Sequence, residues 1–153
     1  MKKIILILII PAIFLTTCKK KDEFVESNTI LQQWTNAIEK LNYRTYARFE
    51  AYPKSEPVFR EIYRDFYFAD LMVVNVEDPD QERKFKDGSG NSFIKRNVMF
   101  ECAEVNRKTK KYMVVVRGDV DFIKFIEGPR ENEGWLMWNR NLIRVNQQAG
   151  EEK

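Results

Sequence analysis

Apolar residues return every three or four positions early in the chain. Ile30, Leu31, Trp34, Ile38 and Leu41 lie on one face of a helix if that rhythm is wound at 3.6 residues per turn. Ser27 or Asn28 stands where such a helix would be capped. Tyr43, Tyr46, Ala47 and Phe49 give a less regular stripe, which predicts a second, short helix over 43–51 that ends before Pro53. Ser55 is placed to cap a third helix, with Pro57 in its first turn and Phe59, Ile62, Tyr63 and Phe66 on its buried side.

After Phe66 the period changes from helical to alternating. The stretch 67–76, rich in β-branched and aromatic residues, reads as a strand, and a polar loop follows over 77–91 with Pro79, Gly88 and Gly90. Two long strands are expected over 92–105 and 111–126, joined by a turn at 106–110, and a last one over 134–145. In the third strand Tyr112, Val114, Val116, Gly118, Val120 and Phe122 share one face, while Arg117, Asp119 and Asp121 share the other. The first face is the core side, and the charged face looks outward. Gly118 marks a place for a bulge or a kink. Ile94, Val98, Phe100 and Cys102 repeat the pattern in the second strand, which makes Cys102 a buried structural residue. The last strand is apolar on both faces, with Trp135 and Met137 against Leu136 and Trp138, so both of its sides should be covered.

Helices first and antiparallel strands afterwards make an α+β chain: N-terminal helices packed on a curved, roughly four-stranded antiparallel sheet. This order resembles the nuclear transport factor two-like superfamily, the cone-shaped group that also holds ketosteroid isomerases (a cystatin-like architecture). The resemblance covers roughly 29–146 and rests on element order, on Trp34-Thr35-Asn36-Ala37 in the first helix, and on Gly134-Trp135-Leu136 opening the last strand. It implies helices closing over the concave side of the sheet, around a space that takes a small apolar molecule or is filled. It also implies a homodimer through the outer sheet face. The side chains that would line the space are Trp34, Tyr46, Tyr63, Phe100, Phe122, Trp138 and Arg140.

The N-terminus carries a different signal. Lys2 and Lys3 precede an almost unbroken aliphatic run over 4–15. Its roughly 12 residues fall short of the about 20 that span a bilayer and match the apolar region of a secretory signal. The run ends in Leu15-Thr16-Thr17-Cys18, which resembles the lipobox of bacterial lipoproteins, with Thr17 standing where a smaller residue is usual. That resemblance implies cleavage before Cys18, lipid (diacylglyceryl and an N-terminal acyl chain such as palmitate) on Cys18, and a cell-envelope protein, periplasmic or surface-exposed. Two or three acyl chains hold far better than one. The expected organisation is a signal peptide over 1–17, a lipidated cysteine with a flexible tether over 18–27, one domain over 28–146 and a polar tail over 147–153.

Charge and composition then narrow the chemistry. Removing Lys2 and Lys3 from the 26 basic residues leaves 24 against 23 acidic ones, a balance without an electrostatic footprint for nucleic acid. Lipidated Cys18 leaves Cys102 without a disulfide partner, so stability rests on packing by 11 Phe, 6 Tyr and 3 Trp. Histidine is absent, which removes the commonest general base and metal ligand and excludes Ser-His-Asp and Cys-His sites. Neither metal nor cofactor is expected. Asp87-Gly88-Ser89-Gly90-Asn91 has the middle of a calcium loop, but that loop would place Phe85 and Arg96 where carboxylates are required. Core-side polar residues are few: Arg96, Glu104, Arg140 and the phenols of Tyr46 and Tyr63, with no evident acid and base pair. The resulting expectation is a lipid-anchored envelope binding module without catalysis, engaging a protein partner or a small apolar ligand. Its expected partner surface includes Arg117, Asp119, Asp121, Trp135 and Met137. The alternative is an isomerase or dehydratase of the ketosteroid-isomerase type.

Overall fold

The computed structural model describes residues 13–79 and 83–145, with side chains from Asp22 onward. Most of the expected signal segment, and the tail over 147–153, lie outside the described residues, as does the Cys18 side chain. The helices are α1 (Ile13–Glu39), α2 (Tyr43–Ala47) and α3 (Glu56–Ile62). The strands are β1 (Phe66–Val76), β2 (Phe85–Lys86), β3 (Ser92–Asn106), β4 (Tyr112–Phe125) and β5 (Trp135–Val145). All strand pairs are antiparallel, in the order β1-β3-β4-β5, and β2 pairs with the start of β3. The chain is thus α+β, with helices on one face of an open antiparallel sheet of five strands, one more than expected.

Helix α1 buries Leu31, Trp34 and Ile38 against β1, as the spacing of three and four requires. Its beginning differs from the expectation. No cap forms at Ser27; the helix runs through the expected tether back to Ile13. The Ser27 hydroxyl instead donates to the Glu23 carbonyl at 2.9 Å, one turn back, and Thr29 donates to Val25 in the same way. Such back-bonding lets a hydroxyl sit inside a helix without opening it. Asn42 caps α2 by accepting from the Thr45 amide at 3.1 Å. Phe59 of α3 and Tyr63 just after it face the core, but Ile62 is exposed and Phe66 already belongs to β1.

The inner core joins Leu31, Trp34, Ile38, Tyr46, Phe59 and Tyr63 of the helical layer to Phe68, Val98, Phe100, Cys102, Val116, Val120, Phe122 and Met137 of the sheet. Burial pushes the Cys102 thiol up to about 12. A second, smaller cluster lies on the outer face at one end of the sheet, where Ala51, Phe93, Ile123, Phe125 and Leu136 are packed by Phe85 and Trp138. Residues 49–51 run beside β5 through two backbone hydrogen bonds, Ala51 N to Met137 O and Met137 N to Phe49 O, both 2.8 Å. Both sides of the first half of β5 are therefore covered.

Gly118 adopts ordinary strand geometry and does not bulge. It lies opposite Phe100, whose ring occupies the space that a Cβ would take. The irregularity falls two residues later, between Val120 and Phe122 in the pairing with β5. Gly118→Ala is expected to lower stability by about 1–3 kcal/mol through overpacking. Urea denaturation should show that loss shrinking when Phe100 is also shortened to Leu.

Arg107, in the β3–β4 turn, joins the layers through backbone acceptors. Its guanidinium donates to Ile38 O at 2.9 Å, Phe66 O at 3.1 Å, Tyr63 O at 3.2 Å and to Glu39 O. These carbonyls end α1, follow α3 and begin β1, where regular structure leaves acceptors unpaired. An ammonium group cannot reproduce that planar fan of donors. Arg107→Lys is accordingly expected to destabilise by about 1.5–3 kcal/mol, the range for lost hydrogen bonds to a charged group. Hydrogen exchange should rise first in the last turn of α1.

Candidate functional site

The parallel bridge between Glu50 and Met137 aims the Glu50 side chain inward, where it is buried. Its Oε1 accepts from Trp34 Nε1 at 2.9 Å and from Arg140 Nη1 at 2.7 Å, and Oε2 accepts from the same Arg140 nitrogen at 2.6 Å. The Arg140 guanidinium lies 5.1 Å over the Trp34 ring, which itself stacks on Phe68. Burial works against the Arg140 charge, yet Glu50 and the neighbouring phenols hold its pKa above the ordinary value. Burial also raises both phenols, Tyr63 up to about 12 and Tyr46 further, with Glu50 adding to each.

Trp34, Tyr46, Tyr63, Phe100 and Phe122 are therefore brought together, with Arg140 tied to them through Glu50. They pack together between helices and sheet, and of them Tyr63 alone borders one of the clefts described below. Trp138 is not among them. It lies on the outer face, edge-on to Phe93 at 5.4 Å. Glu50 escaped the sequence reading because its partner Arg140 lies ninety positions away and no local rhythm marks it. Both Glu50 oxygens are held by fixed donors, which makes the group a joint between layers rather than a base facing a substrate.

Glu50 lines none of three clefts bounded by described residues. A slot of about 160 Å³ runs between Tyr63, Phe66, Phe68, Val116, Leu142 and the Glu104–Arg144 pair. That pair is closed at 2.8 Å. A cleft of about 360 Å³ lies between α1 and the start of β5. The largest, about 420 Å³, is on the outer face between Glu77, Arg83, Phe85, Lys95, Asp119 and Asp121.

Arg117, Asp119 and Asp121 do face outward, but each is engaged. Arg117 pairs with Glu101 at 2.9 Å, Asp121 with Lys95 at 3.4 Å, and Asp119 accepts from Asn97. Met72, Glu101, Arg117 and Ile143 form one row across the four long strands. Met72, Val74, Met99, Met113 and Ile143 are all exposed. Trp135 and Met137 have no place on this surface. Met137 is 0% exposed, and Trp135 is half-buried under the Arg96 guanidinium at 4.2 Å. The shift in β4–β5 pairing explains the error: Met137 lies opposite Phe122, on the core side.

Asp87 closes its own turn, accepting from the Ser89 and Asn91 amides at 2.9 and 2.8 Å, from the Asn91 side chain and from the Tyr52 hydroxyl at 2.6 Å. These bonds pull its carboxyl down to about 2. Among the described residues no group of three or more His, Cys, Asp or Glu side chains is arranged to hold a metal ion. No described helix is long and apolar enough to cross a membrane. The chain matches no protein-family model and no curated protein sequence.

The joint at Glu50 is testable. Removing one member of a buried pair leaves the other charge unpaired, so Glu50→Gln is expected to destabilise by about 3–5 kcal/mol. Glu50→Leu combined with Arg140→Met should recover much of that loss in urea titrations followed by tryptophan fluorescence.

Proposed function

We propose that this chain is a lipid-anchored binding module of the bacterial cell envelope, without catalytic activity, held through Cys18 and built on a nuclear transport factor two-like domain. The observation that carries the reading is the outer sheet face. There Met72, Val74, Met99, Met113 and Ile143 stand exposed around the Glu101–Arg117 pair. Unbranched, polarisable methionines suit a surface that adapts to a protein partner. A second copy of the chain is the first such partner to test, because an adjacent acid and base can exchange partners across a two-fold axis. The filled interior supports the absence of catalysis. An isomerase of the ketosteroid type would need a carboxylate in an open pocket. Inside the fold Glu104 at the small slot comes nearest, but Arg144 holds it, and about 160 Å³ is well under the roughly 300 Å³ at which ligand pockets begin; in the two larger clefts Glu26 and Asp121 are paired with Arg96 and Lys95.

Two measurements test the reading. Mass spectrometry of the full-length product from membranes should find a chain beginning at a diacylglyceryl Cys18, and Cys18→Ser should leave the precursor uncut. Met99→Asp with Ile143→Asp should weaken self-association at least about tenfold in sedimentation equilibrium, as burying unpaired charge in an interface does. The melting temperature should stay within a few degrees. Unchanged association with an intact fold would remove the outer face as the docking surface.

A further inference from the structure

Arg96 stands near the start of β3, opposite Phe122, and its side chain is fully buried. The guanidinium lies 4.2 Å from the centre of the Trp135 ring and 5.9 Å from that of Phe122. One nitrogen has a partner: Nη2 donates to Glu26 Oε2 at 3.2 Å, longer than charge-assisted bonds usually run. Among the described residues Nε and Nη1 have no hydrogen-bond partner. Buried donors of this kind are normally satisfied, and a charged group left half-satisfied destabilises the fold that holds it. Burial accordingly lowers the Arg96 pKa, with Glu26 and then Glu23 opposing.

The guanidinium's one acceptor among the described residues is half in solvent, the Glu26 side chain being 48% exposed. Glu26 and Trp135, which both touch the guanidinium, are also walls of the cleft of about 360 Å³ between α1 and β5. Ile30, Phe49 and Leu136 give that cleft an apolar lining, and Arg48 adds a second cation. The half-exposed Glu26 side chain thus borders both the guanidinium and the cleft, and presents its carboxylate to the first.

We propose that this cleft is a binding site for a small organic acid, whose carboxylate takes the place of Glu26 on Arg96 and whose apolar part lies along Ile30 and Phe49. A planar two-oxygen group engages Nη2 together with one of the two empty nitrogens, which a single Glu26 oxygen does not. A monocarboxylate suits the site better than a dianion, because Glu23, Glu26 and Glu133 remain close by. Glu26 acts as a stand-in that keeps the guanidinium paired when no ligand is bound. This site is separate from the outer sheet face and does not depend on the docking assigned there.

Benzoate is the probe, with benzamide as its uncharged counterpart, titrated calorimetrically into the full chain in lipid nanodiscs. Benzoate is expected to bind one-to-one, at least about tenfold more tightly than benzamide, as a charged hydrogen-bonding pair implies. Glu26→Gln should tighten benzoate at least threefold by removing the internal competitor, and Arg96→Lys should weaken it at least tenfold. The indole N–H of Trp135 should shift on titration, while that of Trp34, held by Glu50, stays in place. Absent benzoate binding, equal binding of benzamide, or a Glu26→Gln variant that binds no better each overturns the proposal. Glu26→Gln changes a half-exposed residue and decides the matter even where Arg96→Lys fails to fold, which thermal melts on the same samples report.

Discussion

A helix that ends against a sheet leaves carbonyls with nowhere to go, and here one guanidinium receives them. Arg107 collects the last acceptors of α1, the one following α3 and the first of β1, and its cation lies 5.4 Å from the Tyr67 ring. It stands in the turn between the two longest strands, so the sheet carries the clamp and the helices supply the acceptors. With those chain ends fixed, the relative position of the helical and β layers is no longer free. Trp34 can then lie flat on Phe68, and Phe100 can cross over Gly118.

Charges inside the domain act mainly as joints. Glu50–Arg140 ties the segment after α2 to β5, and Glu104–Arg144 ties β3 to β5. Pairs of this sort add little net stability compared with apolar replacements, but once present they strongly resist losing one member. That asymmetry fixes which residues can meet. The interior is accordingly a place of packing, while Met72, Val74, Met99, Met113 and Ile143 stand exposed on the opposite face of the sheet.

Much of this layout was legible in the sequence wherever a repeat ran unbroken. The spacing of Leu31, Trp34 and Ile38 gave the buried face of α1, and the alternation through Val116, Val120 and Phe122 gave the core side of β4. Reading failed where local pattern and three-dimensional partner part company. The shifted pairing after Val120 carried Met137 into the core, so its expected surface role was wrong. β2 is only two residues long and gives no period to detect. Glu50 and Arg107 are defined by distant partners, and a glutamate or arginine in a polar stretch looks like any other. The start of α1 was missed because Ser27, a good cap by type, bonds backward into the helix instead.

With the proposed anchor on Cys18, that continuous helix would decide how the domain is carried. Cys18 and Leu31 belong to one rod, and at 1.5 Å of rise per residue the span between them is about 20 Å. A floppy linker would let the domain tumble about its attachment point. A rod turns by about 100° with each residue, so the direction in which the sheet faces becomes a matter of counting residues from the cysteine. Inserting a single residue between Cys18 and Glu23 would swing the whole β layer around the helix axis relative to that cysteine, with the Glu26–Arg96 contact and the packing beyond it intact.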